Sequence, residues 1–584
     1  MAEEAGPGGA AAEILHHALL VAAEEASIAV VRSAHSAFIV EGSDASAAVL
    51  DAEGRLIAHS VATTLMNSMA LAEALPPLLE QIPARTMRRG DVFITNDAYR
   101  GGVHANDLMV FAPVFAGGRP AYFGAALIHV ADLGGLSAGG MAPLATEVYL
   151  EGLQLPAMRI VDAAGVDDRV AALIRLNSRT PDAVMGDVRA LIAGAGTAAA
   201  RTAGLLAEYG EKGLAAGVEA ALDAAEARTR AALSRLPAGV YRAEYPIDDD
   251  GIEPGRAHTV RVEASVGGGE VLLDFSGTDP QVPAAINASL SQTLAAAVFA
   301  VRCFTDPAVP MNAGSLRPIR TRVPAGSLLN ATPPHPCGGR FVPVYAAMEA
   351  VLAALSEAVP ERAVAASGIL QPFSIASVGA PYWIHLAYDF GGGGARAGGP
   401  GGAGKDGPDA TGVHFGLGRN SVPQVEAVEE RFPIRVEEVR TVPDSGGPGR
   451  YRGGLGSRTV FRLLADAHVS ARGDRLRLAP PGRDGGGAGR TGGFYRLSAA
   501  GEAERLPAKA NNVRFAAGEA LAVETTGGGG VGDPLLRPAA EVAADLAAGR
   551  VSRGGAERDY GVRFDAGGRP HRPGRKRGKS ESTL

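Results

Sequence analysis

The chain has 584 residues, 46% hydrophobic and 20% charged, with a formal net charge of −7. That composition supports a substantial buried core, excludes overall disorder, and gives no footing for nucleic acid or a membrane as the main partner. With two cysteines, Cys303 and Cys337, no disulfide framework can hold a chain of this size, and a cytoplasmic location is expected.

Length alone allows roughly two to four domains or one large intertwined unit. The acidic start, Met1-Ala2-Glu3-Glu4, lacks the basic region of a signal peptide. Residues 11–32 carry Ile14, Leu15, Leu19 and Ala22 among Glu13, His16, His17, Glu24 and Glu25, the pattern of an amphipathic helix rather than a membrane span. No other window reads as long and uncharged enough to cross a bilayer. Residues 36–58 read as two β-type runs about a Glu-Gly turn signal, and 65–90 as a helix ending at Arg88-Arg89-Gly90. Residues 91–97 follow as a strand ending in polar side chains.

The most informative stretch is 100–135. His104-x-x-Asp107 and His129-x-x-Asp132 bracket two apolar runs, 108–115 and 121–128, joined by Ala116-Gly117-Gly118-Arg119-Pro120. Such runs about a Gly/Pro turn predict a β-hairpin. Folded about Gly118, it sets Asp107 opposite His129 and His104 opposite Asp132, with opposed Cβ atoms roughly 4.5–5.5 Å apart. Two neutral imidazoles and two carboxylates would balance a divalent cation and suit Mn, Fe or Zn better than Ca or Mg. Asp97 is a further candidate ligand, or an acceptor for a ligand imidazole. Glu41 and Asp44 read as turn residues on spacing alone.

Residues 146–156 read as a strand and turn. Residues 167–235, rich in Ala, Leu, Glu and Arg, predict two or three helices broken near Thr180-Pro181 and Tyr209-Gly210. Strands follow at 260–266 and 271–275, then helices at 290–304 and 344–359. Residues 391–412 predict a mobile glycine-rich surface loop. Short strands and glycine turns continue to about Pro534, a last helix spans 539–548, and the basic tail is expected to be disordered. The fold class is α+β, a mixed multi-subdomain fold rich in antiparallel sheet with a helical insert. Its parts are 10–164 with the candidate metal site, 165–236 helical, 237–390 central α+β, 391–412 the Gly-rich loop, 413–562 β-rich, and 563–584 the tail.

Other motifs carry no chemistry on this reading. Gly399-Pro400-Gly401-Gly402-Ala403-Gly404-Lys405-Asp406 approaches a phosphate loop, but Asp406 stands where the Mg²⁺-binding hydroxyl belongs and Gly407-Pro408 cannot open the required helix. The run at 527–532 reads as tight turns. Cys337, next to His335 among prolines and glycines, fits a rigid loop better than a nucleophile. No Gly-x-Ser-x-Gly elbow is present.

The block Gly90-Asp91-Val92-Phe93-Ile94-Thr95-Asn96-Asp97-Ala98-Tyr99-Arg100-Gly101-Gly102-Val103-His104 resembles the hydantoinase B/oxoprolinase family. The resemblance continues through the second His-x-x-Asp, 147–153, Asp274-Phe275-Ser276-Gly277-Thr278, 444–454, 527–534 and Tyr560-Gly561-Val562, covering about residues 10–562. It implies one subunit, or one half, of an ATP-dependent enzyme that opens cyclic amides such as hydantoins, 5-oxoproline or lactams. Relatives are subunits of acetone- and acetophenone-type ketone carboxylases. It also implies that ATP and Mg bind a companion hydantoinase A-type subunit, while a divalent metal sits in this one.

The positions matching the family's ligands are His104, Asp107, His129 and Asp132, and its Glu-x-x-Asp pattern falls on Glu41 and Asp44. Glu41 or Asp97 would accept a proton, with Asp44, Asn96 and Glu151 supporting the ligands. Met66 and Val130 stand where His is usual and Ala98 where Pro is common, departures that bear on the substrate pocket. The expectation is a B-type subunit of a cyclic amide hydrolase acting on a substrate phosphorylated by its partner. The alternatives are a ketone-carboxylase subunit and a non-catalytic scaffold.

Overall fold

The structure, a computed structural model, describes residues 9–42, 44–61, 65–399, 404–411 and 422–572. Its first part contains α1 (Gly9–Ser33), α2 (Ala37–Gly42), β1 (Ala45–Asp51), β2 (Leu56–His59), α3 (Leu65–Gln81), β3 (Val92–Thr95), β4 (Asp107–Ala116), β5 (Arg119–His129), β6 (Met158–Asp162) and β7 (Gly165–Val166). The strands form one antiparallel sheet in the order β2-β1-β5-β4-β3-β6-β7. The predicted hairpin is β4–β5, with Asp107 paired to His129. Its strands read as unbroken apolar runs because both faces are covered. Leu108 and Val110 join the core under α1 and the long helix that follows, whereas Met109 and Phe111 join the core under α3.

Helices α4 (Asp168–Leu176) and α5 (Pro181–Leu233) are the predicted helical insert. Asp167 caps α4 by accepting from the backbone N–H groups of Arg169 and Val170. α5 breaks at Gly210, whose φ of 69° lies outside the helical region, where the sequence placed a break. It rests directly on β5: a Cβ at Gly124 would stand 2.4 Å from the Ala195 carbonyl oxygen.

A second sheet, β8 (Gly239–Ile247), β9 (His258–Gly267), β10 (Glu270–Asp274) and β11 (Ile319–Arg322), runs in the order β11-β10-β9-β8, with β10 and β11 parallel. Val260, Val262, Ala264 and Val266 alternate inward against α6 (Leu290–Arg302) and, beyond the short α7 (Ala313–Leu316), α8 (Phe341–Ala358), which is buried almost all round. Contrary to the sequence reading, three helical segments have the length and apolar composition of a membrane span: Ala12–Ser33, Pro181–Leu233 and Phe341–Ala358. The first two pack on each other and the third fills the core.

The C-terminal part holds two further sheets. One contains β12 (Gln371–Ser377), β13 (Ile384–Asp389), Ala467–Arg472 and Lys509–Phe515; the other has five strands between Ile434 and Glu524. The mobile-loop expectation for 391–412 is corrected here, with 400–403 and 412 outside the described residues. Gly391 to Gly394 are buried, and the glycine stretches hydrogen-bond to one another: Gly454 N–H to Gly393 O at 2.8 Å, Gly528 N–H to Gly454 O at 2.9 Å, Gly447 N–H to Gly528 O at 2.8 Å. A Cβ on Gly453 would stand 1.9 Å from the Gly528 carbonyl oxygen, so glycine here serves close backbone packing rather than flexibility. The run at 527–532 is likewise part of this packing and not merely a set of turns. The tail expectation shifts too, since Arg563–Phe564 pairs with Pro570–His571, while 573–584 lie outside the described residues.

Candidate metal centre

The open end of the β4–β5 hairpin gathers His104, Asp107 and His129, one ligand atom from each lying within 4.8 Å of the others. Asp107 is the hub. Its Oδ1 lies 3.1 Å from His129 Nδ1; its Oδ2 is 3.4 Å from His104 Nε2 and accepts from Arg340 Nη2 at 3.1 Å. All three are buried, and the two imidazoles meet edge to face with centroids 4.9 Å apart. Burial, reinforced by the Arg340 guanidinium, pushes the His104 imidazole well below its ordinary value, so it is neutral. The Asn106 N–H donates to His104 Nδ1 at 3.1 Å, and Asn106 Nδ2 donates to the Val130 carbonyl, tying the His104 turn to the end of β5. His129 Nε2 is buried with no hydrogen-bond partner. Two imidazoles, one of them with an orphaned buried nitrogen, and one carboxylate are a donor set that fits a borderline divalent ion such as Mn, Fe or Zn.

Around this cluster lies a cavity of about 100 Å³ whose walls come from the N-terminal, central and C-terminal parts of the chain. Phe38 from α2 stacks edge-on to His129 and Tyr388, and Met66, Phe341 and Leu386 add apolar surface. Arg340 and Arg472 are the cations on the cavity wall, and no sequence motif pointed to either. Arg472 is wholly buried, and burial pushes its guanidinium down to about 10 although Glu151 opposes this. It donates to the carbonyls of Gly338 and Gly140. Glu151 accepts from the N–H groups of Cys337 at 3.1 Å and Gly338 at 2.5 Å, fixing the turn that leads into Arg340. A Cβ on Gly338 would stand 2.6 Å from Glu151 Oε1, so a larger residue there would push this carboxylate aside. The Cys337 thiol is buried and pushed well above its ordinary value by desolvation, the state of an unreactive thiol.

The predicted residues divide. Asp44 lines the same cavity, where it accepts from Asn67 Nδ2 at 3.1 Å. Burial raises its carboxyl, partly offset by His129. Asn96 acts as a backbone clamp, donating to the carbonyls of Ala105 and Leu153 and accepting from Leu155 N–H. Asp132, expected as the fourth ligand, is not among the three residues that cluster. It is fully buried but turned to Arg179, with Nη1–Oδ1 at 2.9 Å and the Arg179 N–H on Oδ2 at 2.6 Å, and it also accepts from Gly139 N–H. Asp132 lies past the last paired residue of β5, where strand register no longer sets its position.

Glu41 and Asp97, expected as proton acceptors, do not line the cavity around the cluster. Glu41 lines an adjoining cavity of about 210 Å³ and faces Arg431 at 3.8 Å. Asp97 caps the turn at Ala98–Arg100, accepting from Tyr99 N–H. Asp406, in the rejected phosphate-loop stretch, is paired with Arg537 at 2.7 Å.

The family model for hydantoinase B/oxoprolinase matches residues 9–534. The chain belongs to this family. It is 29% identical over 495 residues to the caprolactamase subunit beta of Pseudomonas jessenii, covering 82% of this chain and 83% of that one. It is 28% identical over 584 residues to the acetophenone carboxylase delta subunit of Aromatoleum aromaticum, covering 92% of this chain and 83% of that one. The crystal structure of ATP-dependent caprolactamase from Pseudomonas jessenii superposes with a TM-score of 0.84 at 26% identity, covering 96% of this chain and 97% of that one. The α+β multi-subdomain architecture is thus shared with a lactamase.

Proposed function

We propose that this chain is the metal-bearing B-type subunit of an ATP-dependent hydrolase of cyclic amides. The observation that carries the reading is the buried His104–Asp107–His129 cluster facing a cavity flanked by Arg340 and Arg472. Likeness to caprolactamase subunit beta supports the substrate class. A divalent ion held by His104, Asp107 and His129 would supply Lewis acidity and lower the pKa of a water at the site.

The remaining work falls to the protein's own groups. Arg340 and Arg472 place positive charge on the cavity wall, matching a substrate whose amide oxygen has been phosphorylated by an A-type, ATP-binding companion. Phe38, Met66 and Tyr388 give the cavity apolar walls that strengthen those charges by excluding bulk water. Asp44 is the further carboxylate on this cavity and is the group placed to accept a proton, the role the sequence assigned to Glu41 or Asp97. Glu151 positions Arg340 through the turn at Cys337 and Gly338.

The test is co-expression with the companion, followed by ATP-dependent ring opening of a lactam, a hydantoin and 5-oxoproline. Turnover of one of them with stoichiometric ATP use supports the reading; none with any of the three rejects it. Likeness to the acetophenone carboxylase delta subunit favours a second reading, a ketone carboxylase component. A rate that depends on bicarbonate with a ketone substrate would select it.

A further inference from the structure

A third cavity, of about 720 Å³, lies between α1, the C-terminal half of α5 and the turn after α6. It shares no lining residue with the metal-centre cavity. Its size is that of a small-molecule site. Much of the wall is apolar, with Leu20, Ala221, Ala224, Val309 and Met311. His16 is 6% exposed, yet neither ring nitrogen has a hydrogen-bond partner. Buried polar atoms are seldom left so, and two on one ring mark a place built to be satisfied by something else.

The charge at this cavity is specific. Arg228 is paired with Asp306 at 3.1 Å. Arg302 is not: its Nη2 donates to the Val309 carbonyl at 2.8 Å, and no carboxylate lies within ion-pair distance among the described residues; the acidic groups nearby are Asp306, already paired with Arg228, and the exposed Glu13 on the wall. His59 stands close enough to Arg302 to feel its charge, and burial keeps both His59 and His16 neutral. One guanidinium without an ion pair, beside neutral imidazoles and apolar walls, matches a monoanion with an apolar body. A dianionic phosphate would remain half uncompensated there.

We propose that this cavity is a binding site for a small organic monocarboxylate, with Arg302 and His16 engaging the carboxylate and the α1–α5 wall its apolar body. Calorimetric titration of the full chain with hexanoate tests it. Saturable binding is expected, weakened at least tenfold in Arg302→Gln, abolished in Ala224→Trp, which fills the mouth from an exposed position, and unchanged in His104→Ala. Absence of binding to the unmodified protein overturns the site. Binding retained by both cavity variants, or lost in His104→Ala, overturns its location. Equal binding of inorganic phosphate or of hexanol overturns the ligand class.

Discussion

Asp107 and Asp132 occupy equivalent places in two copies of one motif, but they have different partners. Asp107 lies within the paired strands, so the hairpin register that sequence alone supplies also fixes its neighbour His129. Asp132 lies beyond the strand, and a guanidinium from Arg179, 47 residues away, claims it. Local pattern reaches as far as the ladder does. It could not find Arg340, 233 residues from Asp107, because that contact exists only after the parts have packed. Asp132→Asn is expected to leave metal binding intact while costing about 2 kcal/mol in chemical denaturation, less than a fully buried pair, because Arg179 is part-exposed.

A second residue-level outcome concerns Asp389, wholly buried with Oδ2 unpartnered and its carboxyl pushed up from 3.8 to about 6 by desolvation. Because the folded value is raised, the folded state holds this proton more tightly than the unfolded state. Its contribution is therefore lost as pH rises from about 4 through 6. Asp389→Asn should raise stability at pH 8 by up to about 3 kcal/mol and change little at pH 4, measured by denaturation at the two pH values.

Among elements, hairpin and helices were legible because apolar periodicity and glycine breaks act locally. The break in α5 at Gly210 and the β4–β5 ribbon both follow from short-range pattern. The glycine-rich stretches were misread for an equally physical reason. The absence of a Cβ permits both a flexible linker and backbone packing at contact distance, and only tertiary partners decide between them. Gly453→Ala, with its Cβ driven against the Gly528 carbonyl, should cost at least about 3 kcal/mol in denaturation and expose the C-terminal part to proteolysis. Gly518→Ala, strained by a φ of +90° but facing open space, should cost only about 1 kcal/mol.

Over the whole molecule, the centre is a joint product of separate parts. The hairpin supplies the His104–Asp107–His129 cluster, the turn before α8 supplies Arg340, and a C-terminal strand supplies Arg472. Glu151 links the turn to that strand's guanidinium, so its replacement is expected to weaken both function and stability. Glu151→Gln should lower ATP-dependent turnover by roughly tenfold to a hundredfold and cost about 3 kcal/mol in chemical denaturation, with metal content close to that of the unmodified protein. The family resemblance read from ordered sequence blocks covers the same span as the shared fold, whereas the division of labour around the cavity required the packed structure.

The most direct measurement is the metal content of the chain co-purified with its companion, by elemental analysis of the unmodified protein, Asp107→Asn, His129→Ala and Asp132→Asn. One divalent transition-metal ion per chain is expected in the unmodified protein and in Asp132→Asn, with at least a tenfold loss in the other two. An unmodified protein without such an ion, or full occupancy in Asp107→Asn and His129→Ala, would contradict a metal centre at the end of the hairpin.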